Sequence, residues 1–177
     1  CQAKGLIKKR GRARTDSTHV LAKVRALNRL GSHIETMRVC LNSLATLAPQ
    51  WLKAWVPEDW FERYSPRFES FRAPQQKEAA KALAEQVGND GFRLLQKVYD
   101  ASSPSWLAEL EAVELLRQRW VQQFWFDKSI VQQRDATDLP PASLLIASPY
   151  DADARLGIKR DMKWTGYKLH VTETCDD

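Results

Sequence analysis

The chain has 177 residues, a length that suits one domain, or one domain with an insertion, and excludes a large multidomain assembly. Apolar residues make up 44% and charged residues 28%, which is ordinary for globular proteins and excludes a wholly disordered chain. The formal net charge of +5 is concentrated at the start, because residues 1–30 hold nine lysines and arginines against one acid, Asp16. A local positive field favours a polyanion such as nucleic acid as partner, although many basic termini are simply solvated.

The three cysteines, Cys1, Cys40 and Cys175, are odd in number, far apart and without CxxC spacing. This argues against a disulfide framework or a zinc site and indicates a reducing cytoplasm.

The apolar runs are too short for a membrane span, so no membrane partner is expected. The chain opens without Met or a signal-like region and closes directly after a predicted strand, so we expect an excerpt from a longer protein.

The first predicted element is a short strand over residues 12–20 that carries Asp16. From Thr18 onward, apolar residues at helical spacing predict a helix, whose first turn is capped by Asp16, Ser17 or Thr18. His19 and His33 are interpreted as helix residues. Gly31 interrupts or kinks this helix, and a second helix follows with Ile34, Met37, Cys40, Leu41, Leu44 and Leu47 on one face, unless the two form one long kinked helix.

Residues 49–73 hold seven large aromatic side chains among three prolines, which indicates short helices or turns. These aromatics either pack onto the long helices or stack on bases, and packing is the favoured interpretation. From Pro74 a strongly helix-forming stretch ends at Gly88, and Asn89 caps a further helix through Tyr99. Ser103 and Pro104 then begin a helix that reaches Phe124.

The last third changes its periodicity. Residues 127–143 are polar and are predicted to be a connection, and residues 146–150 are an extended segment. Residues 151–163 are predicted to form a charged loop that turns at Gly157. Residues 164–172 alternate and are rich in strand-forming side chains, so they are predicted to be a strand.

Three stretches carry a family resemblance. They are Arg-Gly-Arg-Ala-Arg-Thr-Asp-Ser-Thr-His-Val at 10–20, Ser-Pro-Tyr-Asp-Ala-Asp-Ala-Arg at 148–155 and Lys-Trp-Thr-Gly-Tyr-Lys-Leu-His-Val-Thr-Glu-Thr-Cys-Asp at 163–176. They resemble bacterial insertion-sequence transposases of the DDE class, which have an RNase H-like catalytic core. The similarity covers the whole chain, including Leu-Asn-Arg-Leu at 27–30, and Trp-Thr-Gly-Tyr-Lys-Leu-His is a fairly specific signature.

The resemblance implies that Asp16 is the first of three metal-binding acids, on the first strand of an RNase H-like sheet. Cutting and joining phosphodiesters in this class needs two Mg²⁺ ions about 3.5–4 Å apart, and these ions prefer carboxylate ligands on rigid elements. Without the resemblance, a helix cap is the more common role for such an aspartate.

The resemblance also implies DNA as the partner, both transposon ends and target DNA, and it allows a homo-oligomer. Basic residues near both ends of the chain would hold DNA phosphates along a cleft beside Asp16. They are Lys8, Lys9, Arg10, Arg12, Arg14, Arg155, Lys159, Arg160, Lys163 and Lys168.

Four further side chains are candidates for the site. The strand ending at His170 is expected to pair with the strand of Asp16, and His170 either approaches the metals or, as we favour, makes a structural hydrogen bond. Glu173, Asp176 and Asp177 are interpreted as a solvated acidic cluster at the chain end rather than as the second acid. The second Asp and final Glu of the DDE class are expected beyond this stretch, so the chain by itself is expected to be inactive.

The predicted fold class is α+β, mostly α, with a few strands of an incomplete RNase H-like sheet and a large helical insertion after the first strand. Residues 1–19 form the basic arm and first strand, 20–127 the helical insertion, 128–143 the connection and 144–177 the returning strands. The expected function is DNA strand cleavage and transfer in the full-length transposase. The alternatives are a non-catalytic basic DNA-binding helical module, in which Asp16 merely caps a helix, and a decayed relic.

Overall fold

The computed structural model describes residues 13–22, 27–69, 73–127, 130–159 and 162–174, together with Lys4 and Phe71. Within these ranges, five α-helices follow the first strand: α1 (Arg29–Leu47), α2 (Pro49–Lys53), α3 (Glu58–Tyr64), α4 (Lys77–Val98) and α5 (Glu111–Gln123). The strands are β1 (Ala13–Leu21), β2 (Phe124–Asp127), β3 (Ile130–Gln133), β4 (Ile146–Ser148), β5 (Asp151–Lys159) and β6 (Met162–Thr174). Short 3-10 helices span Ser105–Glu109 and Ala136–Asp138.

Four strands form one antiparallel sheet in the order β1, β6, β5, β4, and β2 pairs with β3 in a separate hairpin. The pairing expected between the strands of His170 and Asp16 is confirmed, since Ser17 is aligned with His170 and Asp16 with Val171. The fold is therefore a mixture of helices and antiparallel strands, as the coarse fold class predicts. The division at residue 19 falls inside β1, and the division at 127 falls at the end of β2.

Helix α1 lies at the centre of the helical part. Met37, Cys40 and Leu44 recur every three or four residues on one face and are fully buried, which confirms most of the apolar face predicted for this helix. Its last predicted member, Leu47, is about half exposed. Trp60, Tyr64, Val87, Leu94, Val113, Leu116 and Trp120 from α3, α4 and α5 complete the core. Burial of these large side chains supplies most of the driving force for packing the helices together.

The expectation of a helix beginning near Thr18 is wrong. Val20 and Leu21 belong to β1, and α1 begins only at Arg29. The cap is Asn28, whose side-chain oxygen accepts the Gly31 N–H at 2.7 Å, rather than one of the residues 16–18. Gly31 does not break the helix, because it lies in the first turn and leaves room for the ring of Phe68. His33 lies in α1 as predicted, but the helix predicted for His19 is wrong, because His19 lies in β1. Residues 23–26 are outside the described residues.

Helix α4 runs through both positions at which the sequence suggested a boundary. Gly88 does not end the helix, and Asn89 does not cap a new one, because α4 continues to Val98. The side chain of Asn89 instead donates to the Glu85 carbonyl one turn earlier at 2.9 Å. Gly88 is buried against Phe124, so this glycine serves packing rather than termination.

The region after α4 also differs from expectation. The predicted helix over 103–124 is divided at Leu110 into the 3-10 helix and α5, and Phe124 already belongs to β2. The predicted connection over 127–143 contains the end of the β2–β3 hairpin and the second 3-10 helix. The predicted loop over 151–163 is largely strand β5, and Gly157 lies within it, facing Trp164 across the β5–β6 pair.

The aromatic residues of 49–73 mostly pack, as predicted. Trp51, Trp55, Trp60 and Tyr64 form successive edge-to-face contacts with ring centroids 5.4–5.9 Å apart. Phe61 and Phe71 are nevertheless about three-quarters exposed. Among the helices that the structure describes, none has the length and apolar character needed to cross a membrane.

Candidate functional site

Asp16 lies in the middle of β1, on one face of the β1–β6 pair. Alternate residues of a strand point to the same face, so Arg14, Asp16 and Thr18 share a face with their partners Glu173, Val171 and Leu169. An open cavity of about 250 Å³ on this face is lined by Arg14, Asp16, Thr18, Val171 and Glu173. A strand carboxylate facing open space is available to a ligand.

The Asp16 side chain is exposed and makes one hydrogen bond within the described residues: its Oδ1 accepts the N–H of the adjacent Ser17 at 2.8 Å. Helix α1 begins thirteen residues further along the chain and has its own cap, Asn28. The helix-cap role for Asp16 is therefore wrong. The pairing of β1 with β6 holds its backbone, and within the described residues the second carboxylate oxygen, Oδ2, accepts no hydrogen bond.

The opposite face of the same two strands is polar. Ser17 Oγ lies 2.7 Å from His170 Nδ1, and Thr15 Oγ1 lies 2.9 Å from Thr172 Oγ1. Because Ser17 follows Asp16 in an extended strand, His170 is on the far face from the Asp16 carboxylate. The favoured interpretation, a histidine in a structural hydrogen bond, agrees with this position.

The predicted DNA contacts are only partly described. Lys8, Lys9, Arg10, Arg12 and Arg160 lie outside the described residues, and Lys159 and Lys163 are described only by their backbone positions in β5 and β6. Arg14 is exposed on the face of Asp16. Lys168 is exposed and Arg155 half-buried on the opposite face, because Lys168 is aligned with His19 and Arg155 with Gly166. Of the basic candidates whose side chains the structure describes, Arg14 alone lies on the face of Asp16.

The number of carboxylates near Asp16 decides how well this face of the sheet suits Mg²⁺. Glu173 is exposed on the same face, two positions along from the partner of Asp16. Among the described residues, no group of three or more His, Cys, Asp or Glu side chains is placed to hold a metal ion. Two carboxylates on one strand pair supply the oxygen ligands that Mg²⁺ prefers, but they do not complete a two-ion site.

Glu173 was not predicted as part of the site. The alternation of β6 contains the signal, because Glu173 has the same parity as Val171 and that residue lies opposite Asp16. Finding Glu173 from the sequence requires the pairing register between β1 and β6, two strands about 150 residues apart in the chain. The composition of the chain end does not give this register. The other two acids of the predicted terminal cluster, Asp176 and Asp177, lie outside the described residues.

Sequence reasoning also missed a polar junction, formed by Glu35, Arg119 and Tyr150, that ties the helices to the sheet. Glu35 is fully buried on α1, accepts the Phe68 N–H at 2.5 Å and accepts a hydrogen bond from the Tyr150 hydroxyl. Burial and this bond to Glu35 raise the pKa of Tyr150, so its hydroxyl remains a donor at neutral pH. Arg119 on α5 donates to the Ile146 carbonyl at the start of β4 and to Ser32 Oγ at 2.6 Å.

A second bond of this kind holds the turn into β5. The Tyr167 hydroxyl donates to Asp151 Oδ2, while Asp151 Oδ1 accepts the backbone N–H groups of Asp153 and Ala154. The Tyr167 bond is the main cause that lowers the pKa of Asp151.

Comparisons with known protein families, with curated proteins and with solved structures found no match.

Proposed function

We propose that this chain is part of a DDE transposase, in which Asp16 is the first metal-binding acid of an RNase H-like core that cuts and joins DNA. One observation supports this most strongly: Asp16 is exposed at the centre of a strand and faces an open cavity. That strand pairs with β6, which carries the Trp164-to-His170 signature. A carboxylate on a paired strand is held on a rigid element, as a metal ligand requires.

In this proposal the residues of β1 and β6 have distinct tasks. Asp16 presents carboxylate oxygens to the cavity, and Glu173 adds negative charge to the same face. Arg14, opposite Glu173, offers guanidinium donors to a DNA phosphate that approaches the face. Mg²⁺ ions, when bound, would activate the attacking oxygen and stabilise the leaving one.

The strand order also supports the proposal. Within the described residues, β1 is an edge strand of the four-stranded sheet, with β6 as its single neighbour. Its other edge is open to a further strand, on which an RNase H-like core would carry another acid. We therefore propose that the 177 residues do not cleave DNA by themselves, and that cleavage belongs to the intact protein.

The test is an Asp16→Asn variant of the longest polypeptide encoded in frame with this chain. Cleavage of DNA with Mg²⁺ and DNA affinity are measured separately. We expect loss of cleavage, at least a hundredfold, with DNA affinity retained within about twofold. Asp153→Asn is the matched control, because Asp153 is another exposed strand carboxylate and lies on β5. Unchanged cleavage in Asp16→Asn would rule out the proposal.

A non-catalytic DNA-binding module is the second candidate. The observation in its favour is that the described residues place two carboxylates, and not three, on the face of Asp16. Its version with Asp16 as a helix cap is contradicted by β1. Retained DNA binding without cleavage, in the long polypeptide with every acid intact, would support this candidate over the transposase.

A further inference from the structure

A larger cavity, of about 710 Å³, lies between α1, α5 and the β5–β6 pair. We call it the junction cavity. Its apolar wall includes Leu139, Leu145, Leu156 and Trp164, and its polar groups are Arg29, Ser32, Arg119 and Gln123. This volume is within the range of cavities that hold small organic ligands, and apolar walls with a few convergent polar groups are typical of such sites.

The polar groups come from two facing helix turns. Arg29 and Ser32 are one turn apart on α1, and Arg119 and Gln123 are one turn apart on α5. Arg29 Nε donates to Gln123 Oε1 at 2.8 Å, and Arg29 Nη2 donates to the Arg134 carbonyl at 2.7 Å. Arg119 donates to the Ser32 hydroxyl and the Ile146 carbonyl. Both guanidinium groups are thus held in fixed orientations.

Neither guanidinium forms an ion pair with a carboxylate within the described part of the chain, and the oxygens that accept their hydrogen bonds there are neutral. Arg119 is 3% exposed, and its Nε has no hydrogen-bond partner among the described residues. Buried charges in proteins are normally paired, because an unpaired one loses its hydration without compensation. The lowered pKa of Arg119, about 10, has burial as its cause, and burial also lowers the pKa of Arg29 against the opposing effect of Asp135.

We infer that the junction cavity binds an organic oxyanion, a carboxylate or phosphate carried on an apolar body. Arg29 contacts the oxyanion directly, since it is half-buried and lines the cavity. Arg119 lines the same cavity, and its charge, which has no carboxylate partner within the described residues, adds to the attraction for an anion. Guanidinium groups match the geometry of both carboxylate and phosphate, and Leu156 and Trp164 offer apolar surface to the rest of the ligand. This inference does not depend on the transposase proposal.

The experiment is calorimetric titration of the chain with four probes: adenosine 5′-monophosphate, 2-naphthoate, adenosine and inorganic phosphate. We expect one or both organic anions to bind and adenosine not to bind. Binding of the nucleotide alone assigns a phosphate ligand, and binding of naphthoate alone assigns a carboxylate ligand. Binding of adenosine as tightly as the nucleotide, binding of inorganic phosphate as tightly as the organic anions, or no binding at about 1 mM probe, the weak end of specific affinity, would overturn the inference.

Variants locate the binding. Arg29→Gln is expected to weaken the organic anion at least tenfold. Arg117→Gln is the matched control, because Arg117 is on the same helix as Arg119 but exposed and bound to Glu114 at 2.6 Å. Leu139→Trp, which fills part of the cavity from a half-buried loop position, is expected to weaken binding without changing charge. Equal effects of Arg29→Gln and Arg117→Gln would show only general attraction to a basic protein and would overturn the inference.

Discussion

Gly91 of α4 lies directly against the indole ring of Trp120 on α5, and a Cβ atom at this position would overlap the ring. Trp120 is fully buried, and its Nε1 donates to the Gly88 carbonyl at 2.9 Å, so the ring cannot move aside without losing this bond. Gly91 therefore sets how closely α5 approaches α4, and Gly88 does the same for the β2–β3 hairpin, where it lies against Phe124 and Val131.

The first prediction is that Gly91→Ala destabilises the chain. In an exposed helix this change stabilises by about 1 kcal/mol, because alanine has the higher helix propensity. Here the added methyl group overpacks the core, and we expect a net loss of about 1–3 kcal/mol. Urea denaturation measures it. Ala79→Gly, at an exposed position of the same helix, is the control and should cost about 1 kcal/mol by propensity alone.

A gain in stability from Gly91→Ala would show that α4 and α5 do not pack as closely as described. Gly88→Ala provides an independent check, since its Cβ would lie 2.7 Å from Phe124 Cε1.

These glycines also show what a single sequence can and cannot predict. Long apolar periodicity predicted α1 well, and β-branched and aromatic alternation predicted β6. The sequence predicts a helix end at Gly88 and a turn at Gly157, because glycine has those roles locally. In the structure each accommodates an aromatic ring from another element, and that need is invisible without the tertiary partner.

The candidate site likewise contains residues that the sequence predicts and residues that it does not. Asp16 was identified on its predicted strand, and the pairing with the strand of His170 was also predicted. The second carboxylate, Glu173, was set aside, because membership of a face depends on register, and a shift by one residue reverses every side chain. The junction residues Glu35 and Arg119 were missed because charged side chains in helices are usually exposed.

The second prediction concerns the hydrogen bond from Tyr150 to the buried carboxylate of Glu35. Tyr150→Phe should cost about 1 kcal/mol, the usual value for one hydrogen bond. Glu35→Gln should cost more, because it also disturbs the acceptor of the Phe68 N–H. A double-mutant cycle should give a coupling free energy of about 1 kcal/mol.

Tyr167→Phe is the matched control for that cycle, because Tyr167 makes the same type of bond to the half-buried carboxylate of Asp151, whereas the carboxylate of Glu35 is fully buried. Its effect should be smaller, since water replaces an exposed bond. A coupling free energy near zero between Glu35 and Tyr150 would contradict the hydrogen bond described between their side chains.

The third prediction is a pH dependence that originates at His33. This side chain is fully buried, and burial, followed by the charges of Arg119 and Arg29, holds its pKa well below 6.5. The folded chain therefore keeps His33 neutral, while the unfolded chain binds a proton as the pH falls below about 6.5. The contribution of His33 to the free energy of unfolding is therefore fully present above about pH 6.5. It decreases as the pH falls below that value, by up to about 1.4 kcal/mol per pH unit.

Urea denaturation between about pH 5 and 7.5, a range that spans the ordinary histidine pKa, measures this slope. In His33→Gln the loss below about pH 6.5 should be smaller than in the parent chain by the contribution of one proton. His170→Gln is the control, because it removes another histidine at an exposed position. An unchanged slope in His33→Gln would assign the pH dependence to other groups.

The fourth prediction concerns the basic arm, whose lysines and arginines we propose as phosphate contacts. Each phosphate contact contributes about 0.9 to the slope of log affinity against log salt concentration, because binding releases condensed counterions. Replacing Lys8, Lys9 and Arg10 together by alanine should therefore flatten the slope by up to about 2.7. Fluorescence anisotropy with a labelled duplex at several salt concentrations measures it. The control replaces three exposed lysines of the helical part, Lys53, Lys77 and Lys81, which removes the same net charge. Equal flattening in both variants would mean that total charge, rather than contact by the arm, determines the affinity.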